Sequence, residues 1–189
     1  EEALNVLEPL SESGRNPLRN GIVHCQITDK GLLERFRATG TLAYVQPIFL
    51  RSDWRIADDR VGSNKASTSY AFNTMDRLGI LVSYGTDSPV ESPNPFDNLY
   101  CAVTRQDLEG NPAGGWYPEE KVDIFQALVH YTLGSAYAEG TEGYKGRIKQ
   151  GYLADMVVLD RDIFTAAACD IKECKPVMTV LGGNIVYKK

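Results

Sequence analysis

The stretch Ile80-Leu81-Val82-Ser83-Tyr84-Gly85-Thr86-Asp87-Ser88-Pro89 decides the fold class of this chain. Its first five residues form an apolar, partly β-branched run that predicts a buried strand, and Gly85 and Pro89 end that strand. Asp87 therefore follows the carboxyl end of a buried strand, where barrels and open α/β sheets carry their catalytic groups. The alternative is that Asp87 only caps a turn, because Asp, Ser and Pro are ordinary turn residues.

Two further short strands precede this stretch, and helices separate all three. The apolar runs at residues 21–26 and 41–47 predict these strands, and Asp29 and the pair Asn94-Pro95 are typical helix starts. Strands that alternate with helices predict parallel βαβ units. Three strands cannot close a barrel, so the pattern indicates either a small open sheet or the last part of a (β/α)8 barrel. The chain opens in what reads as the middle of a helix, which favours the second, and we expect that it was cut from a longer chain.

After residue 143 the pattern changes to short strands with no long helix between them. The pair Gly182-Gly183 is typical of a β-hairpin. We expect residues 1–143 to form the α/β unit and residues 144–189 to form a small β segment, which is too short for a core of its own and pairs with strands outside the chain. The predicted strands of this segment are residues 147–150, 156–159, 176–181 and 185–187.

The composition excludes several classes of protein. The chain has 189 residues, of which 43% are hydrophobic and 24% charged, so it can bury a core. A net charge of −5 without a basic run argues against nucleic acid or an anionic membrane as partner. No apolar stretch approaches the about 20 residues of a membrane span. The spacing of the four cysteines matches neither a zinc motif nor a CxxC redox pair. Cys25 and Cys101 lie in apolar segments, so we expect both to be reduced core residues, which predicts a cytoplasmic protein.

A second chemical signal lies in the first predicted strand. His24 interrupts this apolar strand near its carboxyl end, the end at which Asp87 follows its own strand. A buried imidazole needs partners for both nitrogens, and a metal on one with a carbonyl on the other is a standard solution, although a fully hydrogen-bonded core histidine is the alternative. His24 and Asp87, at the same end of neighbouring parallel strands, therefore give a metal-site hypothesis. Catalytic zinc needs three protein ligands, and the sequence offers no third histidine at a strand end.

Three other residues have competing interpretations. Gln46 ends the second strand at the same level, where its amide can orient a substrate carbonyl or only satisfy backbone groups. His130 lies inside a long predicted amphipathic helix, residues 118–131, without a partner at metal-ligand spacing, which predicts a packing role. Cys25 alternates with His24 along the strand, so we expect it to be core filler rather than the nucleophile of a Cys-His pair.

These pieces resemble a known family, the amidohydrolase superfamily, and within it amidohydrolase family 3, which includes N-substituted formamide deformylase-like enzymes. The resemblance covers nearly the whole chain, with its motifs in the family's order. The stretches that carry it are residues 21–26, 45–47, 85–90, 102–105, 114–118, 131–137, 146–148, 151–160 and 180–187.

The resemblance implies a metal-dependent hydrolase of C–N bonds in amides and related small molecules. It implies that the chain supplies the sixth to eighth βα units of a (β/α)8 barrel, followed by part of a β-sandwich built from both chain ends. His24 would then be the metal ligand after the sixth strand. Asp87 would border or bind the metal, most commonly zinc, and shuttle a proton from the attacking water to the leaving amine.

The chain also departs from the family's pattern. The His-x-His pair of the first barrel strand and the histidine after the fifth strand do not occur in these residues, Val23 stands where glutamate is commoner, and Thr86 stands where serine is commoner. We therefore expect an incomplete site that is inactive by itself, and self-association of the isolated chain through uncovered sheet surfaces. The competing hypotheses are a non-catalytic half-barrel that acts as a regulatory or interaction module, and a free-standing α/β binding domain.

Overall fold

A parallel sheet of three strands forms the first half of the molecule. The computed structural model describes residues 1–12 and 14–189, and in it β1 (Gly21–Val23), β2 (Leu42–Val45) and β3 (Val82–Tyr84) lie in the order β1-β2-β3. The register places Val23 beside Tyr44, and Tyr44 beside Ser83. The prediction of parallel strands connected through helices is confirmed.

Helices connect the strands and cover the sheet. α2 joins β1 to β2, and the connection from β2 to β3 is longer and carries four short helices. The helices are α1 (Glu2–Leu7), α2 (Lys30–Thr39), α3 (Leu50–Asp53), α4 (Ala57–Val61), α5 (Ser63–Ala66), α6 (Phe72–Arg77), α7 (Pro95–Thr104), α8 (Ile124–Val129) and α9 (Ser135–Glu139). Short 3-10 turns occupy Glu8–Leu10, Pro47–Phe49, Pro118–Glu120 and Ala168–Glu173.

The polar residues that predict helix starts act as caps. The Asp29 carboxylate accepts a hydrogen bond from the Leu32 N–H at 2.9 Å, and Asn94 accepts one from the Phe96 N–H at 3.1 Å. At the other end of α2, Gly40 adopts φ +65°, a left-handed conformation that glycine reaches without a side-chain clash. Both ends of α2 therefore follow from local sequence.

Two expectations about secondary structure are wrong. A single helix over residues 118–131 is predicted, but the helix begins only at Ile124, where the Asp123 carboxylate caps the Gln126 N–H, and it continues as a π-helical stretch, His130–Gly134, into α9. Residues 147–150 form no strand: their backbone is irregular and all four residues are exposed, so no burial favours strand pairing there.

An antiparallel sheet closes the chain. β4 (Met156–Leu159), β5 (Pro176–Leu181) and β6 (Asn184–Lys188) lie in the order β4-β5-β6, and β5 and β6 form the predicted hairpin at Gly182-Gly183. Its apolar side chains are largely uncovered: Val157 is 52% and Ile185 58% exposed. Self-association through such surfaces, pairing with strands outside the chain and the second layer of a β-sandwich stay predictions. No helix in the described ranges combines the length and apolar character needed to span a membrane.

All four cysteines are free, and three of them are buried. Burial raises the pKa of the Cys25 thiol to about 12 and that of the Cys101 thiol to about 12, and it also raises the pKa of the Cys174 thiol. Cys169 is exposed. Because the thiolate is the reactive form, the three buried thiols are chemically protected. The expectation that Cys25 and Cys101 are reduced core residues is confirmed, whereas the cytoplasmic location stays a prediction.

We predict that Asp29→Ala lowers the free energy of unfolding by about 1 kcal/mol, because the Leu32 N–H loses its acceptor at the start of α2. Urea denaturation monitored by circular dichroism measures this change. The matched control is Glu34→Ala on the same helix, whose exposed ion pair with Arg37 contributes less than about 0.5 kcal/mol. Equal destabilisation by both variants would contradict the capping role.

We predict that a disulfide reagent at pH 8 labels Cys169 rapidly in the folded chain, while the buried thiols of Cys25, Cys101 and Cys174 react only on unfolding. Absorbance of the released thiol chromophore gives the count. Cys169→Ser is the control, and it removes the fast phase. A fast phase that persists in the Cys169→Ser variant would contradict the burial of the remaining three thiols.

Candidate metal-binding site

The carboxyl ends of the three parallel strands carry the predicted site residues. His24 directly follows β1, Gln46 directly follows β2, and Asp87 lies three residues after β3. The expectation that the strands of His24 and Asp87 are neighbours is wrong, because β2 lies between them. The two strands are therefore about 10 Å apart at the sheet, which is twice the spacing between adjacent strands. Gln46 occupies the middle position.

His24 leaves the strand with an unusual backbone conformation. Its N–H makes the last bond of the ladder, to the Tyr44 carbonyl oxygen at 2.7 Å, and its φ of +74° then turns the chain. Cys25 follows with φ +48°. Left-handed backbone is costly for residues with a β-carbon and is concentrated at functional sites. This left-handed turn at His24 and Cys25 ends β1 at Val23, three residues before the end of the predicted strand at residue 26.

The imidazole of His24 has one occupied and one free nitrogen. Nδ1 lies 2.9 Å from Oε1 of Gln46. Because an amide oxygen can only accept, the contact selects the tautomer of the neutral ring in which Nδ1 carries the proton and Nε2 holds the lone pair. Within the described residues Nε2 forms no hydrogen bond, and the half-buried ring packs 5.8 Å from the Phe49 ring. This is the state in which a histidine binds a metal through Nε2.

Gln46 is buried, and its amide oxygen is engaged by His24. The sequence suggests that this amide orients a substrate carbonyl or satisfies backbone groups. The observed contact gives it a third role, which is to fix the orientation and the tautomer of the imidazole.

Asp87 is exposed and adopts φ +55°. The turn that follows is closed by its main chain, since the Val90 N–H donates to the Asp87 carbonyl oxygen at 2.8 Å. The carboxylate makes no hydrogen bond with any residue in the ranges 1–12 and 14–189. The side chain therefore does not serve as the turn cap, and its oxygens remain available to a ligand.

A buried asparagine, which the sequence analysis does not single out, supports this edge of the sheet. Asn98 on α7 is fully buried, accepts from the Ile48 N–H at 2.7 Å, and donates to the Gly85 carbonyl oxygen at 3.0 Å. The signal that identifies it is an amide side chain among the mostly apolar buried residues of α7.

A second polar network anchors the loop that follows His24. The Tyr70 hydroxyl donates to the Asp53 carboxylate at 2.5 Å, and Gln26 donates to both groups. Burial, together with the bond to Asp53, raises the pKa of the Tyr70 phenol. The network ties the loop after β1 to the long connection between β2 and β3.

The two residues expected to pack do so. His130 is buried, its ring lies 4.9 Å from that of Tyr84, and Nε2 is 2.9 Å from an Asp76 carboxylate oxygen, although out of line for a hydrogen bond. The Cys25 thiol donates to the Ile22 carbonyl oxygen at 3.1 Å, and a buried thiol with a pKa of about 12 is no nucleophile.

The donor chemistry of the site fits a divalent metal only in part. One imidazole nitrogen and one carboxylate suit zinc, but catalytic zinc takes three protein ligands. The described part of the chain brings no three His, Cys, Asp or Glu side chains together in a metal-binding cluster.

Comparison with known proteins gives a consistent result. Residues 2–187 match the sequence profile of the amidohydrolase family. The putative amidohydrolase YtcJ of Bacillus subtilis is 31% identical over 193 residues, covering all of this chain and 35% of that protein. The N-substituted formamide deformylase of Arthrobacter pascens is 32% identical over 120 residues, covering 64% of this chain and 22% of that enzyme.

A solved structure gives the same assignment. An uncharacterized metal-dependent hydrolase from Pyrococcus horikoshii superposes with a TM-score of 0.74 at 29% identity, covering 88% of this chain and 32% of that one. This chain spans about a third of the length of YtcJ and of the archaeal hydrolase. With a family match over residues 2–187, the chain belongs to the amidohydrolase family.

Proposed function

We propose that this chain is part of a metal-dependent hydrolase that cleaves non-peptide C–N bonds in small amide-type substrates. The observation that carries the proposal is that Nε2 of His24 and the carboxylate of Asp87 lie at one end of a parallel sheet, with no hydrogen-bond partner among residues 1–12 and 14–189. Relatives named as an amidohydrolase and an N-substituted formamide deformylase, together with a metal-dependent hydrolase of similar structure, support this class of reaction.

In this proposal the chain contributes half of a metal site. Residues 1–143 supply the last three βα units of the (β/α)8 barrel, residues 144–189 supply strands of a β-sandwich, and the remaining ligands come from residues outside the chain. The uncovered apolar surface of β4, β5 and β6 supports this arrangement. The 189 residues alone are then inactive.

The roles of the site residues follow from their contacts. His24 would hold the metal through Nε2, while the Gln46 amide oxygen accepts from Nδ1 and holds the ring in place. A bound zinc ion, the metal we propose, would supply Lewis acidity that lowers the pKa of water. The Asp87 carboxylate would lie beside the metal, where it would take a proton from the attacking water and give that proton to the leaving amine. Its exposed side chain leaves it free to move between these partners.

The test compares two proteins: the 189-residue chain and the product of the complete reading frame that contains it. We expect the complete protein to hydrolyse members of a panel of N-substituted formamides and amides, to lose this activity on chelation, and to regain it with zinc. We expect the isolated chain to show no turnover. A start codon directly before the Glu1 codon, metal-dependent turnover by the isolated chain, or undiminished turnover after chelation overturns the proposal.

In the same complete protein, Asp87→Asn is expected to lower kcat about 10²- to 10⁴-fold, because the amide cannot carry the proton. The matched control is Asp59→Asn, an exposed aspartate on α4 outside the site. Steady-state rates measure both variants, and an Asp87→Asn enzyme as active as the control contradicts the role of this residue.

Gln46 offers a test that does not depend on turnover. Gln46→Leu removes the acceptor for His24 Nδ1–H, and we expect the zinc affinity of the complete protein to fall about 10- to 100-fold. Gln46→Glu keeps an acceptor at this position and should retain zinc binding. Competition with a chromophoric chelator measures both, and Gln126→Leu on α8 is the control. Equal affinity in Gln46→Leu and the control contradicts the role of Gln46.

A further inference from the structure

The side chain of Asn98 joins three separate parts of the structure. Its Oδ1 accepts from the Ile48 N–H at 2.7 Å, and its Nδ2 donates to the Gly85 carbonyl oxygen at 3.0 Å and to the Tyr131 hydroxyl at 2.9 Å. No part of Asn98 is exposed. All three partners lie far from it in sequence, so the contacts are a product of the tertiary fold.

Two of these partners flank the proposed site residues. Ile48 lies two residues after Gln46, and Gly85 lies two residues before Asp87. The last bond between β2 and β3 runs from the Gly85 N–H to the Val45 carbonyl oxygen, at 3.1 Å. Beyond that bond, the Asn98 amide connects the two chain segments in place of the sheet ladder.

The third partner comes from the π-helical stretch His130–Gly134. Consecutive residues of this stretch, His130 and Tyr131, both pack against Tyr84, with ring centroids at 4.9 and 6.0 Å. Burial raises the pKa of the Tyr131 phenol, so the hydroxyl stays protonated, and it accepts the hydrogen bond from Asn98. π-helical turns inside α-helices are frequent at functional sites. Here Tyr131, in the π-helical stretch, contacts the side-chain amide of Asn98, which bonds to the segments after β2 and β3.

The chemical identity of residue 98 matters for this geometry. A leucine of similar size would fill the space between Phe96 and Leu99, but it would leave the buried Ile48 N–H and the half-buried Gly85 carbonyl oxygen without the Asn98 partner. Both segments could then relax independently. An asparagine that satisfies both groups holds the segments at a fixed separation.

We infer that Asn98 is a positioning residue of the proposed hydrolase: it sets the position of Asp87 relative to the Gln46–His24 pair. This inference rests on the proposed function. Asn98 touches neither Asp87 nor His24, and it acts through the backbone of Gly85 and Ile48. A displacement of about 1 Å between groups that act together is enough to lower a rate about 10²-fold.

The test uses the complete protein and the variant Asn98→Leu. We expect kcat to fall about 10- to 100-fold, with KM changed by less than about threefold, because the loss concerns the arrangement of reacting groups. We also expect zinc affinity, measured by chelator competition, to fall about 10-fold through the loosened Gln46–His24 pair. Tyr131→Phe keeps the ring and removes only the hydroxyl, so it covers the case in which Asn98→Leu does not fold, and we expect it to lower kcat roughly fivefold.

The control is Thr104→Val, which removes a buried side-chain hydrogen bond, to the Tyr100 carbonyl oxygen at 2.7 Å, at the other end of α7. A purely structural role predicts that all three variants lower the melting temperature while kcat per folded molecule and zinc affinity stay at the wild-type values, and this result overturns the inference. An inactive wild-type protein that binds no zinc indicates instead that the proposed function fails.

Discussion

Strand β2 is hydrogen-bonded on both edges, and the first half of the structure depends on this double pairing. Ala43 and Val45 are buried within the core, and the ladders to β1 and β3 run parallel. Because parallel strands point the same way, their carboxyl ends meet at one edge of the sheet, and His24, Gln46 and Asp87 arrive there together. β1 and β3 each pair with β2 alone among the strands of the described residues, so each keeps an edge on which another strand can pair.

Beyond the last backbone hydrogen bonds of the sheet, side chains connect the chain segments that follow the strands. Past the last rungs, Gln46 bonds to His24, and Asn98 bonds to the backbone on both sides of the gap between β2 and β3. In a medium of low dielectric constant such bonds are strong, and a missing partner is costly. The left-handed backbone at His24 and Asp87 costs on the order of 1–3 kcal/mol per residue. The surrounding contacts hold these residues in that conformation.

The local parts of the fold could be predicted because they depend on short-range chemistry. Asp29 and Asn94 cap their helices, and Gly182-Gly183 turns the final hairpin, through contacts within a few residues along the chain. The bounds of the long helix were harder to predict. The amphipathic pattern over residues 118–131 does not reveal that Asp123 caps the start of the helix or that a π-helical stretch follows Val129. Segment 147–150 was predicted as a strand, but it has no partner strand in the described residues and its backbone is irregular and exposed.

By itself, the sequence determined that a histidine, a glutamine and an aspartate lie at or just beyond the carboxyl ends of three parallel strands, because hydrophobic runs and their terminators are local and periodic. It also determined the resemblance to the amidohydrolase family, because the family's motifs occur along this chain in the family's order. Only the tertiary structure decided that β2 separates His24 from Asp87, that Gln46 faces His24, and that Asn98 spans the strand ends. These facts depend on contacts between residues 13 to 50 positions apart, and their partners are chosen by packing rather than by any pattern along the chain.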